Sequence, residues 1–509
     1  MISRRAFLQA GTAAAAVAAA GVSGCSSTRS TKQDTIANLK VRPPTFVEYR
    51  GVKPDLPGNS SGVMPAFLSF PDPVQFTEAP GKGDSIEILC GVDGGAVPPP
   101  LEKNTFWQEV NKRLGAELKF NMVPATDYLT KLETVIAGDQ LPEIVAVRPM
   151  PHLAQLLKAK CVDLTKHLSG DAVKDYPALA NIPTRSWRSC VYNGGIYGVP
   201  LHRTEQMFDP IYRRDLTDKL GVKAEDVTDR DSFLEFCRAV TAPNEHRWAV
   251  GSITGTQQFL NQMYGVANGW RQSGGKFTNA MEEDAYPDVL DVTRKMWNEG
   301  LFYPDTLRNG LIASEIVGNG TIIFSNGGAG TAYHDYPVLY KATAPHMDLG
   351  YLLPPKWNGG GLAQYYMGSA LYGGAPVCLH SDDPDRIKYL LSVMNWLASP
   401  FGTKEYKFFR YGIEGIHHTM QNGEPIVTEK GTAELNLPIR YVASGPLVTN
   451  APGDARGARQ FHDYQEKVAP LGLSSAALGL YSPTEQNVAA DLQADLTDTI
   501  NNIVQGRTR

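Results

Sequence analysis

Three short apolar runs, separated by two amphipathic segments, dominate the sequence between residues 85 and 147. The runs at 85–90, 117–123 and 143–147 are rich in β-branched and other apolar residues, which is typical of buried strands. The segments that follow Thr105 and Thr126 carry apolar residues at helical spacing. Because strand and helix alternate, this region is predicted to form a parallel sheet covered by helices, which is an α/β fold.

Capping residues predict where the two helices begin and end. Thr105 and Gln108 have the spacing of a capping box, and Gly115 follows the last apolar residue of that helix. Thr126 is predicted to cap the second helix, which ends at Gly138.

The first 25 residues have the composition of an export signal. Arg4 and Arg5 precede a weakly apolar, alanine-rich stretch and a run of small residues that ends at Cys25. A transmembrane helix is the competing interpretation, but residues 7–22 are shorter than the roughly 20 apolar residues that a bilayer requires. Residues 3–8 resemble a twin-arginine signal, and residues 22–25 resemble a bacterial lipobox. The resemblance implies that residues 1–24 are removed and that Cys25 is acylated.

The net charge narrows the classes of function expected of the mature chain, and its length indicates how many domains to expect. Removal of residues 1–24 takes away two arginines and no acid, so the net charge changes from −5 to −7. A mildly acidic chain lacks the basic face that nucleic acid binding requires, and no nucleic acid partner is expected. The length favours two or three domains.

The cysteines beyond residue 25 are Cys90, Cys161, Cys190, Cys237 and Cys378. None of them has the paired spacing of a zinc site, and we predict neither a metal nor a cofactor. Disulfides and buried free thiols both stay open as alternatives.

Two segments before residue 84 have a low content of predicted regular structure. Residues 26–45 are rich in Ser, Thr and Lys, which is typical of a flexible spacer. Residues 51–83 are rich in Pro and Gly and are predicted to be an extended lead-in on the protein surface. Residues 25–83 together are therefore assigned to the lipid anchor, the spacer and the lead-in.

Several short motifs occur in a fixed order along the chain. They are FWQEV (106–110), GDQLPEIV (138–145), YNGGIYGVP (192–200), IYRRDL (211–216), KMWNEGLF (295–302), MNWLASP (394–400) and YGIEGIHH (411–418). In this order they resemble motifs of the family 1 extracellular solute-binding proteins, which supply sugars to ABC importers. Glu143 is found where that family usually has Asp, and the resemblance extends over about residues 84 to 505.

The resemblance implies a two-lobed periplasmic-binding-protein-like fold of type II, in which each lobe is a mixed or parallel sheet flanked by helices. The lobes are expected to be interleaved in sequence. Lobe 1 would comprise residues 84–201 and 352–400, and lobe 2 would comprise residues 202–351 and 401–509.

The implied function is to bind a carbohydrate, expected to be an oligosaccharide, between the lobes and to deliver it to the transmembrane subunits of an ABC permease. The protein is expected to be a monomer that is anchored to the outer face of the bacterial cell membrane, with no catalytic residues. Polar and aromatic residues near the ends of predicted strands are the candidate ligand contacts. They are Asp93, Arg148, His202, Arg203, Glu205, Trp270, Asn326, Tyr333, His334, Asp335, Trp357, Tyr365 and Tyr366.

Structural roles compete with these assignments. Trp270 and Trp357 could be half-buried loop aromatics, and Arg148 and Glu205 could form structural ion pairs. Trp107, Trp297 and Trp396 lie on helical stripes and are predicted to be core residues. The alternative function is that of an exported lipoprotein enzyme acting on polysaccharide, which would need two carboxylates across the scissile bond. The sequence contains no hydrolase, metalloprotease or nucleotide-binding motif that supports it.

Overall fold

A computed structural model describes residues 37–92, 97–148, 150–206, 209–307, 313–326, 343–368, 377–478, 480 and 482–508. The signal segment and five of the predicted functional residues lie outside these ranges, namely Cys25, Asp93, Tyr333, His334 and Asp335.

The described strands are short, except for two of eight residues. They are β1 (Ala66–Phe67), β2 (Ser85–Val92), β3 (Glu117–Pro124), β4 (Ile144–Ala146), β5 (Val191–Tyr192), β6 (Gly195–Ile196), β7 (Pro210–Arg213), β8 (Trp248–Val250), β9 (Trp270–Ser273), β10 (Lys276–Asn279), β11 (Ile322–Asn326), β12 (Leu349–Tyr351), β13 (Tyr365–Tyr366), β14 (Val377–Leu379), β15 (His418–Gln421), β16 (Glu424–Val427), β17 (Thr449–Asn450) and β18 (Gly472–Leu473).

The described α-helices are distributed along the whole chain. They are α1 (Thr105–Leu114), α2 (Tyr128–Ala137), α3 (Leu153–Lys160), α4 (Thr165–Leu168), α5 (Pro177–Ala180), α6 (Arg214–Leu220), α7 (Arg230–Val240), α8 (Ile253–Tyr264), α9 (Tyr286–Asn298), α10 (Ala313–Gly318), α11 (Pro384–Leu397), α12 (Lys404–Tyr411), α13 (Glu429–Glu434), α14 (Ala455–Val468) and α15 (Pro483–Val504).

The first sheet has the strand order β14-β4-β2-β3. Strand β2 is parallel to both β3 and β4, and β14 is antiparallel to β4. The predicted alternation of three strands and two helices is confirmed as β2, α1, β3, α2 and β4. Apolar side chains cover both faces of this sheet, as expected for strands that lie between two layers of helices. Trp107 and Trp396 are buried in this core, as predicted.

Both predicted helix caps are displaced by one residue. Asn104 caps α1, because its side-chain oxygen accepts the Trp107 N–H at 2.9 Å. Asp127 precedes α2, where Thr126 was predicted as the cap. The Thr105 hydroxyl instead donates to Glu434 at 2.7 Å, a contact that local sequence spacing does not reveal.

The second sheet has the strand order β12-β7-β11-β8 and its own hydrophobic core. Strands β8 and β11 are parallel, and β7 is antiparallel to β11 and β12. Phe259 on α8 lies between Phe233 of α7 and Phe324 of β11, with both ring-centre distances at 4.9 Å. Trp297 is partly buried against this core.

The chain passes between the two cores three times, so the two units are interleaved in sequence. Residues up to Leu201 pack in the first core, and residues from Tyr212 to Leu352 pack in the second. The chain then returns to the first core from Val377 to Ala443 and finishes in the second core at Val504. The predicted boundaries place residues after 400 in lobe 2, yet Phe408 and the stretch 437–443 lie in the first core.

The lead-in is not confined to the surface, contrary to the prediction for residues 51–83. Val63, Met64, Ala66, Phe67 and Phe70 are buried. Strand β1, which lies in this stretch, pairs in parallel with β17. The apolar residues between the prolines therefore bury their side chains although the segment contains little regular structure.

Among the helices of the described ranges, none combines the length and the apolar character that crossing a bilayer requires.

The Glu434 carboxylate attaches α13 to the N-terminus of α1. It accepts hydrogen bonds from the Thr105 N–H at 2.8 Å and the Phe106 N–H at 3.2 Å, and it lies 3.1 Å from Nε2 of His417. Burial opposes its ionisation, but the hydrogen bonds from Thr105, His417 and Phe106 outweigh burial and lower the pKa of Glu434 from 4.5 to about 2.

We expect this carboxylate to make stability depend on acidity. A lowered native pKa contributes stability above pH 4.5, and that contribution is lost as the pH falls towards 2. The Glu434→Gln variant should lose up to about 3 kcal/mol of unfolding free energy at pH 7 and less at lower pH. Urea unfolding at several pH values measures the free energy of unfolding of the variant.

The control Glu429→Gln changes an exposed acid on the same helix. Equal pH dependence in both variants would contradict the assignment.

Candidate functional site

Two crossings connect the two sheets beside the carboxyl-terminal ends of β4 and β11. The first crossing leaves Val199, whose backbone pairs with Val377, and enters β7 at Pro210, which is paired with Asn326 at the end of β11. The second crossing follows β12 and is described from Leu352 to Gly368; the chain is described again at Val377 of β14, which is paired with Ala146 at the end of β4. Ligands of open α/β sheets bind beyond the carboxyl ends of strands. These ends, together with the two crossings, are the candidate site.

Arg148 lies at the first-sheet side of the candidate site, two residues after β4. Its guanidinium lies over the Tyr128 ring at 5.4 Å. The Tyr128 hydroxyl donates to the Ala146 carbonyl at 2.6 Å and the Leu89 carbonyl at 3.1 Å, which fixes the ring at the end of the strands. A Cβ atom on Gly91 would lie 2.9 Å from Nη2 of Arg148, so glycine at this position leaves room for the arginine.

His202 is a buried, neutral residue of the first crossing. Its Nδ1 accepts the Leu447 N–H at 3.2 Å. Burial, and secondarily the nearby charge of Arg203, lower the pKa of His202 to about 4. Nη1 of Arg203 donates to the His202 carbonyl at 2.8 Å, and its guanidinium lies 5.8 Å from the Tyr441 ring centre. His202 therefore positions the crossing, while Arg203 is only partly buried.

Glu205 forms an ion pair with Arg185. Burial raises the pKa of the Glu205 carboxyl, and Arg185 opposes that rise. A Cβ atom on Gly62 would lie 2.9 Å from the Glu205 carboxylate, so the lead-in packs directly against this residue. The alternative that Glu205 is part of a structural ion pair is consistent with this geometry.

Gln206 joins the first crossing to the lead-in and to α14. Its Oε1 accepts the Thr204 hydroxyl at 2.8 Å and the Gln465 amide at 3.2 Å, and its Nε2 donates to the Gly62 carbonyl at 3.3 Å. The chain of contacts continues from Oε1 of Gln465 to the Met64 N–H at 3.2 Å. Sequence reasoning missed this network, because its members come from three distant segments.

Asn326 ends β11 on the second-sheet side and is 4% exposed. Its Nδ2 donates to the Gly255 carbonyl at 3.0 Å, while its Oδ1 has no hydrogen-bond partner among the described residues. Nε2 of Gln257 and Oδ1 of Asn261, one turn apart on α8, are also buried without a hydrogen-bond partner in the part of the chain that the structure describes. Buried amides without partners are uncommon and call for an explanation.

Trp357 lies in a glycine-rich hairpin of the second crossing and is 44% exposed. Its ring stacks on Tyr264 at the end of α8, with ring centres 5.5 Å apart and planes inclined by 9°. The backbone of Trp357 is fixed on both sides, because its N–H donates to Met263 and its carbonyl accepts the Arg230 N–H, each at 3.0 Å. The tryptophan is thus a rigidly held aromatic surface that solvent reaches.

Trp270 begins the β9–β10 hairpin and is half-buried. The preceding Asn268 donates its side-chain amide to Met367 in the second crossing at 2.8 Å and to Leu473 at 2.9 Å. The Trp270 carbonyl accepts the Ala476 N–H at 3.0 Å. The hairpin is therefore attached to the second crossing within two residues of Trp270.

Tyr365 is 1% exposed, and its hydroxyl lies 2.5 Å from the Tyr464 hydroxyl. Burial raises the pKa of Tyr365 well above its ordinary value. The neighbouring Tyr366 donates its hydroxyl to the Val266 carbonyl at 2.8 Å and to the Ala267 carbonyl at 3.0 Å. Both tyrosines attach the second crossing to the rest of the protein, and a ligand contact for Tyr365 stays a prediction.

Hydrogen-bonding groups and aromatic faces make up the candidate site. The described residues contain no group of three or more His, Cys, Asp or Glu side chains that could hold a metal ion. A groove of about 270 Å³ lies near Glu87, Lys119 and Gln140 on the first sheet. It includes none of the predicted ligand contacts, so we assign the site from the strand ends and not from that groove.

Removal of the Gln206 amide should destabilise the protein. Gln206→Leu leaves Gly62, Thr204 and Gln465 without their buried partner, which costs roughly 1 to 3 kcal/mol of unfolding free energy. Urea unfolding at pH 7 measures the loss. The control Gln258→Leu changes a half-buried glutamine of α8 and should alter stability by about 0.5 kcal/mol or less. Equal stability of the two variants would be evidence against a structural role for the network.

A family model and two curated proteins match parts of this chain. The family model described as bacterial extracellular solute-binding protein matches residues 98–400, which is more than half of the chain. The polygalacturonan/rhamnogalacturonan-binding protein YtcQ of Bacillus subtilis is 24% identical over 217 residues, which cover 41% of this chain and 42% of that protein. Lipoprotein LipO of the same organism is 22% identical over 242 residues, which cover 45% of this chain and 46% of LipO. The chain thus matches less than half the length of each curated relative.

A solved structure supports the fold over most of the chain. The N-glycan transport solute binding protein NgtS of Streptococcus pneumoniae has a TM-score of 0.59 at 16% identity, covering 84% of this chain and 91% of that one. Its likeness shows a two-lobed α/β fold. The family match is to proteins that bind solutes and not to enzymes. The chain belongs to the family of bacterial extracellular solute-binding proteins.

Proposed function

We propose that this protein binds a carbohydrate between its two lobes and delivers it, chemically unchanged, to an ABC permease. The proposal depends on the path of the two crossings, which run beside the carboxyl ends of β4 and β11. Arg148 and Asn326 lie at those strand ends, Trp357 lies in the second crossing, and the Trp270 hairpin is attached to that crossing through Asn268. A sugar presents hydroxyl groups and flat C–H faces, and this set of side chains offers partners for both.

Trp357 is the best-supported sugar platform. Its backbone is held at both ends and its ring stacks on Tyr264, so little side-chain entropy is left to lose on binding. Buried amide atoms of Asn326, Gln257 and Asn261 have no hydrogen-bond partner among the described residues, and we propose that a bound sugar partners them when the lobes close.

The proposed mechanism is closure of the lobes around the ligand. A ligand that contacts both sheets binds the closed arrangement more tightly than the open one, and it therefore shifts the population towards closure. The crossings are the segments that must adjust their backbone. His202, Gln206 and Tyr365 attach them to neighbouring elements, which limits how far they move.

An acidic glycan is one ligand class within this proposal. YtcQ is by name a polygalacturonan/rhamnogalacturonan-binding protein, and polygalacturonan carries carboxylates. Arg148 and Arg203 are half-buried cations at the first-sheet side of the site, and arginine binds carboxylates in a bidentate geometry. NgtS, by contrast, is an N-glycan transport protein by name. We therefore propose that acidic and neutral oligosaccharides be compared as ligands.

Lipid anchoring and location are also part of the proposal, and they rest on the resemblances of residues 3–8 and 22–25. We propose that the twin-arginine signal exports the chain, that Cys25 is acylated, and that the spacer holds a monomer at the outer face of the membrane. Several acyl chains on one residue give stable anchoring, because each buried methylene contributes about 0.8 kcal/mol. The relative LipO is a lipoprotein by name, which supports this proposal.

A ligand panel tests the proposed function. The purified protein is heated with acidic oligosaccharides, with neutral oligosaccharides and with amino acids, and the melting temperature is recorded. A ligand that binds the native state raises it by mass action. Stabilisation by at least one oligosaccharide, with the sugar recovered intact, is expected. Stabilisation by none of the sugars, or appearance of a cleaved product, would overturn the proposal.

Substitution of the two tryptophans should weaken binding with little effect on stability. Trp357→Ala and Trp270→Ala each remove an aromatic surface, and we expect the dissociation constant of the selected sugar to rise about tenfold or more. Isothermal titration calorimetry measures it. The control Trp297→Ala lies against the second core and should lower the melting temperature while affinity is preserved. Unchanged affinity with early melting in Trp270→Ala would identify Trp270 as a core residue.

A further inference from the structure

Helix α3 presents Leu153 and Leu157 four residues apart, which places them on one helical face. Both are buried on the face of the first sheet that also carries Val145. Cys378 lies on that same face, because β14 pairs Cys378 with Val145 of β4. Cys161 directly follows α3 in an extended conformation, packs against this cluster and is partly exposed.

Backbone contacts fix the two cysteines next to each other. The Val162 N–H donates to the Leu379 carbonyl at 2.9 Å, and the Lys160 carbonyl lies 2.5 Å from Nδ1 of His380. The residues on both sides of Cys161 thus contact the residues that follow Cys378. Burial raises the pKa of the Cys378 thiol, and a hydrogen bond with the Cys161 thiol raises it further. The backbone of Cys161 is therefore held beside that of Cys378.

We propose that Cys161 and Cys378 form a disulfide bond in the exported protein, and that this bond fastens the end of α3 to β14. Cys90 and Cys190 belong to the core on the other face of the first sheet, and Cys237 belongs to the second core. Among the described cysteines, Cys161 is the one that is not buried, so an oxidant in solution reaches this pair first.

Thiol–disulfide exchange forms the bond. The Cys161 thiolate attacks a low-molecular-weight disulfide, such as oxidised glutathione, and releases one small thiol. The Cys378 thiol then gives up its proton and attacks the Cys161 sulfur of the mixed disulfide, which releases the second small thiol. The two cysteines lose two protons and two electrons in total, and the small disulfide gains them.

The bond would reinforce the first-lobe ends of both crossings. Strand β14 has three residues and stands at the end of the sheet order. Val377, next to Cys378, pairs with Ala146 and with Val199, where the first crossing leaves the sheet. The loop closed by the bond runs from 161 to 378 and includes the whole second sheet. A cross-link over a loop of that length restricts the unfolded chain strongly.

Peptide mapping of the exported full-length protein tests the pair directly. The protein is incubated with oxidised glutathione, denatured, alkylated and digested without reductant. Mass spectrometry should then find the peptides of Cys161 and Cys378 joined, with a loss of two hydrogens. Separate alkylated peptides of these two residues, or a link from either one to another cysteine, would overturn the proposal.

Thermal unfolding with and without reductant gives a second readout. The oxidised protein should melt roughly 5 °C or more above the reduced protein. Cys161→Ser should abolish that difference, whereas the control Cys237→Ala should retain it. A difference that persists in Cys161→Ser would contradict the assignment. Neither experiment requires a sugar ligand, so their outcome is independent of the proposed function.

Discussion

The architecture depends on where the backbone crosses between the sheets. Val199 and Val377 exchange two backbone hydrogen bonds, each 3.0 Å long, at the first sheet, and the Leu352 N–H donates to the Pro210 carbonyl at 2.8 Å at the second. These bonds hold the outgoing and returning chains side by side at each sheet. Because both crossings run beside the carboxyl ends of β4 and β11, we expect the polar residues that follow those strands to lie on the same side of the two sheets as the crossings.

Apolar packing stabilises each lobe, whereas buried polar contacts attach the two crossings to neighbouring elements. Each sheet has its own apolar core, so each lobe can keep its shape while the crossings adjust. Gln206, Gln465 and the lead-in form a buried polar network at the first crossing, and Tyr365 with Tyr464 forms another at the second. Such networks are directional, so they favour particular arrangements of the lobes. The ligand contacts proposed for Arg148, Trp270 and Trp357 would bias that choice towards closure.

Periodicity along the sequence predicted the first sheet well, because strand and helix patterns are local. The same reasoning misplaced contacts that distant residues supply. Thr105 has the spacing of a capping residue, but its hydroxyl is bound to Glu434, 329 positions away. Tyr365 is a plausible sugar platform from its place in the crossing, yet Tyr464 lies against it in a buried site. Buried residues of the lead-in, such as Phe67, escaped prediction because prolines obscure any periodic pattern.

Small-angle X-ray scattering tests whether the lobes close around the ligand, because closure changes the dimensions of the whole particle. The radius of gyration is measured while the oligosaccharide selected by the ligand panel is added until binding is saturated. We expect the radius of gyration to decrease until binding is saturated and to follow the binding curve measured by calorimetry. A radius of gyration that stays constant while the sugar binds would contradict the claim that the lobes close around it.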